Sequence, residues 1–241
     1  MTIPSLLCNT AEPLRRSGHL AGVLVASIDG EQATAQETLA ALQRQSGLAQ
    51  QMEFFSWDEK ELRENCEDTI DLAHSKTDPY NGTRPLSLER SIIFLNLLRK
   101  TYEQVAAKNA PVVFVRADLL QLEEYDTSSL ICGLEERILL PSWHKWHGYN
   151  DRLAIIPNKY LREYFLRLDK LSDYLNKVNM FHPETFLKRS LVGSAVSESL
   201  SGRYYRTREG GLVVQENFDA SPSVLSRFKH RFRLGIHGKY G

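Results

Sequence analysis

Pro111-Val-Val-Phe-Val115 is the stretch that most limits what this chain can fold into. A near-continuous apolar run reads as a strand buried on both faces, because a strand with one wet face would alternate polar and apolar residues. Such a strand needs covering layers, and the sequence supplies helices for them. Ser87 opens a segment in which Leu88, Ile92, Leu95, Leu98, Tyr102 and Val105 recur at helical spacing. Pro157-Asn158 opens another, with Leu161, Tyr164, Phe165, Leu168, Leu171, Leu175 and Val178 on one face, and a further helix starts near Pro183. Strand-like runs at 22–28, 52–56, 137–141 and 152–156 alternate with these segments. Thr34 and Glu37 have the spacing of a capping box for a helix that Gly47 ends. The acidic stretch 58–74, with Leu62, Cys66 and Ile70 every fourth residue, predicts a surface helix with its charged side in water. Residues 203–206 and 212–215, separated by Thr-Arg-Glu-Gly-Gly, predict a hairpin. The expected architecture is α/β: a doubly wound, mostly parallel sheet with an antiparallel addition toward the C-terminal half.

Charge narrows the function classes. The 241 residues carry 30 Lys+Arg against 30 Asp+Glu, so no global field holds the chain along a nucleic acid, and DNA or RNA coating is not expected. The zero is a sum of opposite patches. Seven acidic residues lie between 58 and 71 against Lys60 and Arg63, whereas no acid follows Asp219 and Arg227, Lys229, Arg231, Arg233 and Lys239 crowd the end. A hydrophobic fraction of 42% suffices for one packed domain over 1–241, with 1–20 as an N-terminal extension and 219–241 as a basic C-terminal segment. Cys8, Cys66 and Cys132 are odd in number and form no Cys-x-x-Cys pair, so a reducing, cytoplasmic compartment is expected rather than a disulfide framework. No basic region precedes a long apolar stretch at the N-terminus, and runs such as 22–28 fall far short of the roughly 20 residues of a spanning helix. A soluble protein is expected. Asn81-Gly82-Thr83 reads as a turn inside the turn-rich cluster 78–85, a candidate functional loop.

In an open α/β sheet, ligands bind beyond the carboxyl ends of the strands. That rule selects Asp29-Gly30, Trp57-Asp58, Arg116 to Asp118 and the loop from Trp143 to Asp151. Asp118 follows a buried strand directly, where a carboxylate can hold a hard cation that grips phosphate oxygens, or simply cap the strand end. Trp143, His144, Trp146, His147 and Tyr149 precede Asn150-Asp151. Aromatic faces stack on sugar rings and imidazoles hydrogen-bond hydroxyls, so this loop suits carbohydrate recognition. His144 and His147 lie three apart, but no third ligand is nearby for zinc.

Val-Phe-Val-Arg116-Ala-Asp118, then Ile-Leu-Leu-Pro-Ser-Trp-His144, then Gly148-Tyr-Asn150-Asp151-Arg152-Leu-Ala-Ile155, then His182-Pro-Glu184 stand in one order. This arrangement resembles the GT-A-type glycosyltransferase-like family, the nucleotide-diphospho-sugar transferases. Its members show an Arg-x-Asp strand end, a Gly-x-Asn-Asp-Arg-Phe-Ala-Ile segment and a Pro-Glu opening a late helix. The match covers residues 90 to 190, with Leu153 in place of the usual Phe. The opening strand and Phe-Phe-Ser-Trp-Asp58 agree more loosely.

The resemblance implies a GT-A-like fold, a nucleotide-sugar donor and a glycan or lipid-linked acceptor. It implies a divalent metal, Mn2+ or Mg2+, at Asp118, since a departing nucleoside diphosphate needs its charge neutralised. Arg116 stands where the first acid of an Asp-x-Asp would be, and would pair with Asp118 or touch a phosphate. The Asp29-Gly30 loop would approach the nucleotide. Trp143, His144, His147, Asn150 and Arg152 would serve the sugar, and Asp151 or Glu184 would act as base. The other readings are an Asp151–Arg152 ion pair and a Glu184 that stabilises a helix N-terminus. The basic tail has three readings: closure over the diphosphate through His237 and Lys239, peripheral contact with an anionic membrane, or a solvated end. The expected function is transfer of a sugar from a nucleotide-diphosphate donor to a carbohydrate acceptor. The alternative is a non-catalytic module on the same fold that binds carbohydrate or nucleotide sugar.

Overall fold

The computed structural model describes residues 10–18, 22–28, 52–77, 79, 87–116, 119–121, 136–143, 145, 147–200, 204–207 and 213–216. The helix expected after Thr34 and the loop 80–85 lie outside them.

The apolar run at 111–115 forms a strand at the edge of a four-stranded sheet. In chain order the elements are α1 (Glu12–Arg16), β1 (Val23–Ile28), β2 (Met52–Trp57), α2 (Glu59–Glu64), α3 (Glu67–His74), α4 (Ser87–Ala106), β3 (Val112–Val115) and β4 (Leu119–Gln121). They continue as β5 (Ile138–Pro141), β6 (Leu153–Ile156), α5 (Leu161–Phe165), α6 (Leu171–Leu175), α7 (Pro183–Ser190), β7 (Val196–Leu200), β8 (Tyr204–Thr207) and β9 (Val213–Glu216). The four-stranded sheet has the order β3-β6-β5-β7. β1 and β2 pair in parallel, Val23 opposite Met52 through Ile28 opposite Trp57. β4, β8 and β9 form an antiparallel sheet, the expected hairpin included.

The central sheet differs from the mostly parallel expectation. β5 and β7 are parallel, but β6 runs antiparallel to both β3 and β5. The reason lies in the connection from Pro141 to Leu153, where no helix is described. A parallel return requires a crossover, usually helical, and this short loop brings the chain back the other way.

Alternation along the strands builds a core on each face. Val112, Phe114, Ile138, Leu140, Ala154 and Ile156 face the helices α2 to α7 in one cluster. Val113, Val115, Leu139, Leu153 and Ile155 face a smaller cluster with Leu14 of α1, Trp143 and Leu200. The α4 stripe behaves as its spacing predicts: Leu88, Ile92, Leu95, Leu98 and Val105 are buried. Each fully buried aliphatic side chain of this kind contributes roughly 1.5–3 kcal/mol.

α4 is continuous, but the other two long helical expectations are interrupted, each near a side chain that captures a carbonyl. The helix over 58–74 is two helices. Asp58 caps the first, accepting the Glu61 N–H at 2.9 Å. At the break, the Leu62 carbonyl accepts from Asn96 Nδ2 of α4 at 2.6 Å, and the Cys66 N–H turns to the Arg63 carbonyl instead. In the segment after Pro157, Arg167 Nη1 donates to the Tyr164 carbonyl at 2.5 Å, where the chain tightens into a 3-10 turn at Arg167–Lys170. The predicted apolar face survives these breaks, with Leu161, Tyr164, Phe165, Leu168, Leu171 and Leu175 all buried. Among the described residues, no helix is long and apolar enough to cross a membrane.

Candidate functional site

Because β6 is antiparallel to β3, the residues entering β6 lie beside those leaving β3. Val115 stands opposite Leu153, and the Arg116 N–H donates to the Arg152 carbonyl at 2.9 Å. This register brings Arg116 and Asp151 to the same rim. Arg116 Nη1 lies 3.4 Å from Asp151 Oδ2 and 3.5 Å from Oδ1, and the two side chains retain 25% and 12% of their exposure. The guanidinium also rests over the Phe94 ring of α4, 5.5 Å from its centroid, which keeps one face of the cation away from water. The carboxylate of Asp151 is thus engaged by the chain's own cation.

The neighbouring residues fasten the loop. Asn150 is buried; its Nδ2 donates to the Trp143 carbonyl at 2.8 Å and its Oδ1 accepts the Arg152 N–H at 2.9 Å. Trp143 is buried in the smaller cluster, and the Arg152 guanidinium sits 5.8 Å from its ring centroid. His147 is exposed, in the left-handed region at φ 67°. Lys145 ion-pairs with Glu198 of β7 at 2.6 Å.

The loop then presses against α7. A Cβ on Gly148 would fall 1.9 Å from the Glu184 carbonyl oxygen and 2.3 Å from the Thr185 nitrogen. Only a residue without a side chain permits this approach, and it lets the Tyr149 N–H donate to the Glu184 carbonyl at 2.9 Å. Pro183 opens α7, where its fixed φ and missing N–H cost nothing. Beside it, His182 Nδ1 lies 2.8 Å from Glu184 Oε2, with side-chain exposures of 16% and 12%. The contact is short but is not aligned as an in-line hydrogen bond.

Beneath the rim, Arg167 is fully buried and stacks on Tyr164, 4.5 Å from the ring centroid. The Tyr164 ring packs 5.7 Å from Phe114 of β3, and its hydroxyl is buried without a hydrogen-bond partner. Burial pushes the Tyr164 phenol well up and the Arg167 guanidinium down, with the Asp151 charge acting on both. Burial also raises Tyr149, helped by Glu198.

The structure therefore brings together Arg116 with Asp151, Trp143 with Asn150 and Arg152, and the Gly148-Tyr149 turn with Glu184. Asp29, Gly30, Asp118, His144, His237 and Lys239 lie outside the described residues. Among the described residues, no group of three or more His, Cys, Asp or Glu side chains is placed to hold a metal ion. The described rim offers a guanidinium where a second acid would stand, so these side chains alone do not make up a Mn2+ or Mg2+ site. A cation held by one carboxylate takes its remaining ligands from phosphate oxygens and water.

Sequence reasoning missed four residues: His182, Phe94, Tyr164 as a polar group, and Arg167. Arg167 had a signal, a cation beside Phe165 and Leu168 in an otherwise apolar stripe. His182 had a weaker one, an imidazole two residues from the Glu184 carboxylate.

No protein-family model matches the chain, and no curated protein matches it. The crystal structure of mouse Xyloside xylosyltransferase 1 in its apo form is similar to it with a TM-score of 0.40 at 12% identity, over 70% of this chain and 68% of that chain.

Proposed function

We propose that the chain is a glycosyltransferase that moves a sugar from a nucleotide-diphosphate donor to a carbohydrate acceptor. One observation carries the reading. Three segments far apart in sequence, the Arg-x-Asp strand end, the Gly-x-Asn-Asp-Arg segment and the Pro-Glu helix start, meet through the Arg116–Asp151 pair and the Gly148–Glu184 contact. A guanidinium at such a rim suits a diphosphate, since its planar fork matches phosphate oxygens. The exposed His147 of the same loop suits sugar hydroxyls.

In this reading Arg116 binds the donor diphosphate, and Asp118, two residues on, holds Mn2+ or Mg2+ against it. A bound divalent ion would neutralise charge on the departing diphosphate. Asp29-Gly30, His237 and Lys239 complete the donor side. The acceptor is a glycan or a lipid-linked glycan met at a membrane surface.

The test is a thermal-shift screen of nucleotide sugars, with and without Mn2+, followed by turnover of whichever donor stabilises the protein. Asp118→Asn should keep the fold and lower turnover by about 100-fold or more, the scale of losing one electrostatic stabiliser of the transition state. Wild-type turnover in Asp118→Asn, or turnover unaffected by a chelator, would remove the metal from the proposal. Binding of free glycan with turnover of no donor would point instead to a binding module.

A further inference from the structure

Two of the partners that hold Arg116 answer an incoming anion in opposite ways. The Phe94 ring carries the guanidinium 5.5 Å from its centroid, and is itself set against Phe114 of β3 with ring centroids 6.2 Å apart. A ring attracts the cation but offers nothing that an anion could replace. Asp151 does the reverse: its carboxylate engages the same guanidinium donors that a phosphate would use. Its contacts with Nη1, 3.4 and 3.5 Å, are longer than the roughly 2.7–2.9 Å of a tight charge-assisted bond. Such a pair can exchange.

The carboxylate is also tethered. On one side of it Asn150 is bonded to the Trp143 carbonyl and the Arg152 N–H, and on the other the Arg152 carbonyl accepts the Arg116 N–H. A carboxylate that lets go of Arg116 therefore stays at the rim. Its charge also reaches the fully buried Arg167, so release does not leave it without a cation.

We propose that Asp151 is a placeholder for the donor: in the free protein its carboxylate occupies the anion seat of Arg116, the donor diphosphate displaces it, and Phe94 keeps the guanidinium at the rim during the exchange. The inference rests on the transferase reading above, which gives the diphosphate to Arg116. Phe94 is then a positioning residue, and the internal carboxylate lowers the apparent affinity for the donor by the fraction of time it fills the seat.

Calorimetric titration of the full chain with UDP, GDP, ADP and CDP in the presence of Mn2+ tests this. Asp151→Asn should bind the preferred diphosphate about threefold or more tighter, because the seat is already open; equal or weaker binding overturns the proposal and leaves the donor reading standing. Removing a nearby negative charge favours an anion even without exchange, so the gain is measured again on an Arg116→Gln background. There it should vanish, and a gain that persists overturns the proposal. Phe94→Leu should weaken binding about threefold or more, whereas Phe94→Tyr, which keeps a ring, should stay within about twofold; equal losses overturn the positioning role. Should Asp151→Asn fail to fold, the wild-type chain decides: the 13C NMR resonance of the Asp151 carboxyl group should move on saturation with the diphosphate, and an unmoved resonance overturns the exchange. If the wild-type chain binds none of these diphosphates, the donor reading falls and the placeholder with it.

Discussion

Gly148 leaves the rim almost no room for change. Its would-be Cβ lies 1.9 Å from a backbone oxygen, which cannot swing aside as a side-chain tip could. Gly148→Ala must move either the loop or the first turn of α7. We expect a cost of about 1–3 kcal/mol, the range for overpacking a close contact. For a chain of this size that lowers the melting temperature by roughly 2–4 °C per kcal/mol. A thermal melt checks it: an alanine variant melting within about a degree of wild type would mean the contact relaxes freely. This glycine was legible in the sequence as part of a motif. Its reason was not, because the Glu184 carbonyl that excludes a side chain lies 36 residues away in the chain.

At the scale of elements, Asn96 separates α2 from α3. Its Nδ2 holds the Leu62 carbonyl at 2.6 Å in a buried setting, while its Oδ1 is buried without a partner. Asn96→Ala should destabilise by about 1–3 kcal/mol, because a buried hydrogen bond is lost and the Leu62 carbonyl keeps only the weaker Cys66 Sγ donor at 3.1 Å. Urea denaturation reads this directly; an unchanged midpoint would mean that the Leu62 carbonyl finds another donor. This junction shows why sequence periodicity located the helices but not their ends. Leu62, Cys66 and Ile70 do form the buried stripe, since spacing fixes which side faces the core. The interruption depends on a side chain from α4, which no local pattern reveals. The direction of β6 was hidden for a similar reason: its composition says it is buried, and only the missing crossover sets its sense. The candidate site was legible to the extent that Arg116, Asp151 and Glu184 were marked. The pairing of Asp151 with Arg116 depends on how β3 and β6 are laid together, whereas the contact of Glu184 with His182 is local to the start of α7.

For the whole molecule, net neutrality conceals local pairing. The acidic stretch is not only a solvated face. Glu61 meets Lys100 at 3.0 Å, and Arg63 meets Glu89 at 2.8 Å, so it docks onto the cations and acids of α4. Such exposed pairs each contribute at most about 1 kcal/mol, less in salt. Alkaline stability is the sharper prediction. Burial holds the phenols of Tyr149, Tyr164 and Tyr174 above their ordinary value. Below about pH 10, where an unfolded tyrosine begins to ionise, both states keep these protons and stability is unaffected by them. Above it, the unfolded chain releases protons that the folded chain retains, so stability falls as pH rises. Tyr164→Phe removes the most strongly raised group. It should flatten that decline between about pH 10 and 11 in urea titrations, and leave stability near pH 7 unchanged or slightly higher, since the lost hydroxyl has no partner. An equally steep decline in the variant would mean that Tyr164 ionises as readily folded as unfolded.

The antiparallel β6 has one more consequence. Arg116 and Asp151 are 35 positions apart, yet the gap between them is set by two hydrogen-bonded strands, like the jaws of a caliper clamped at the hinge. The opening between the two charges is therefore a property of strand register and not of how much chain separates them in sequence.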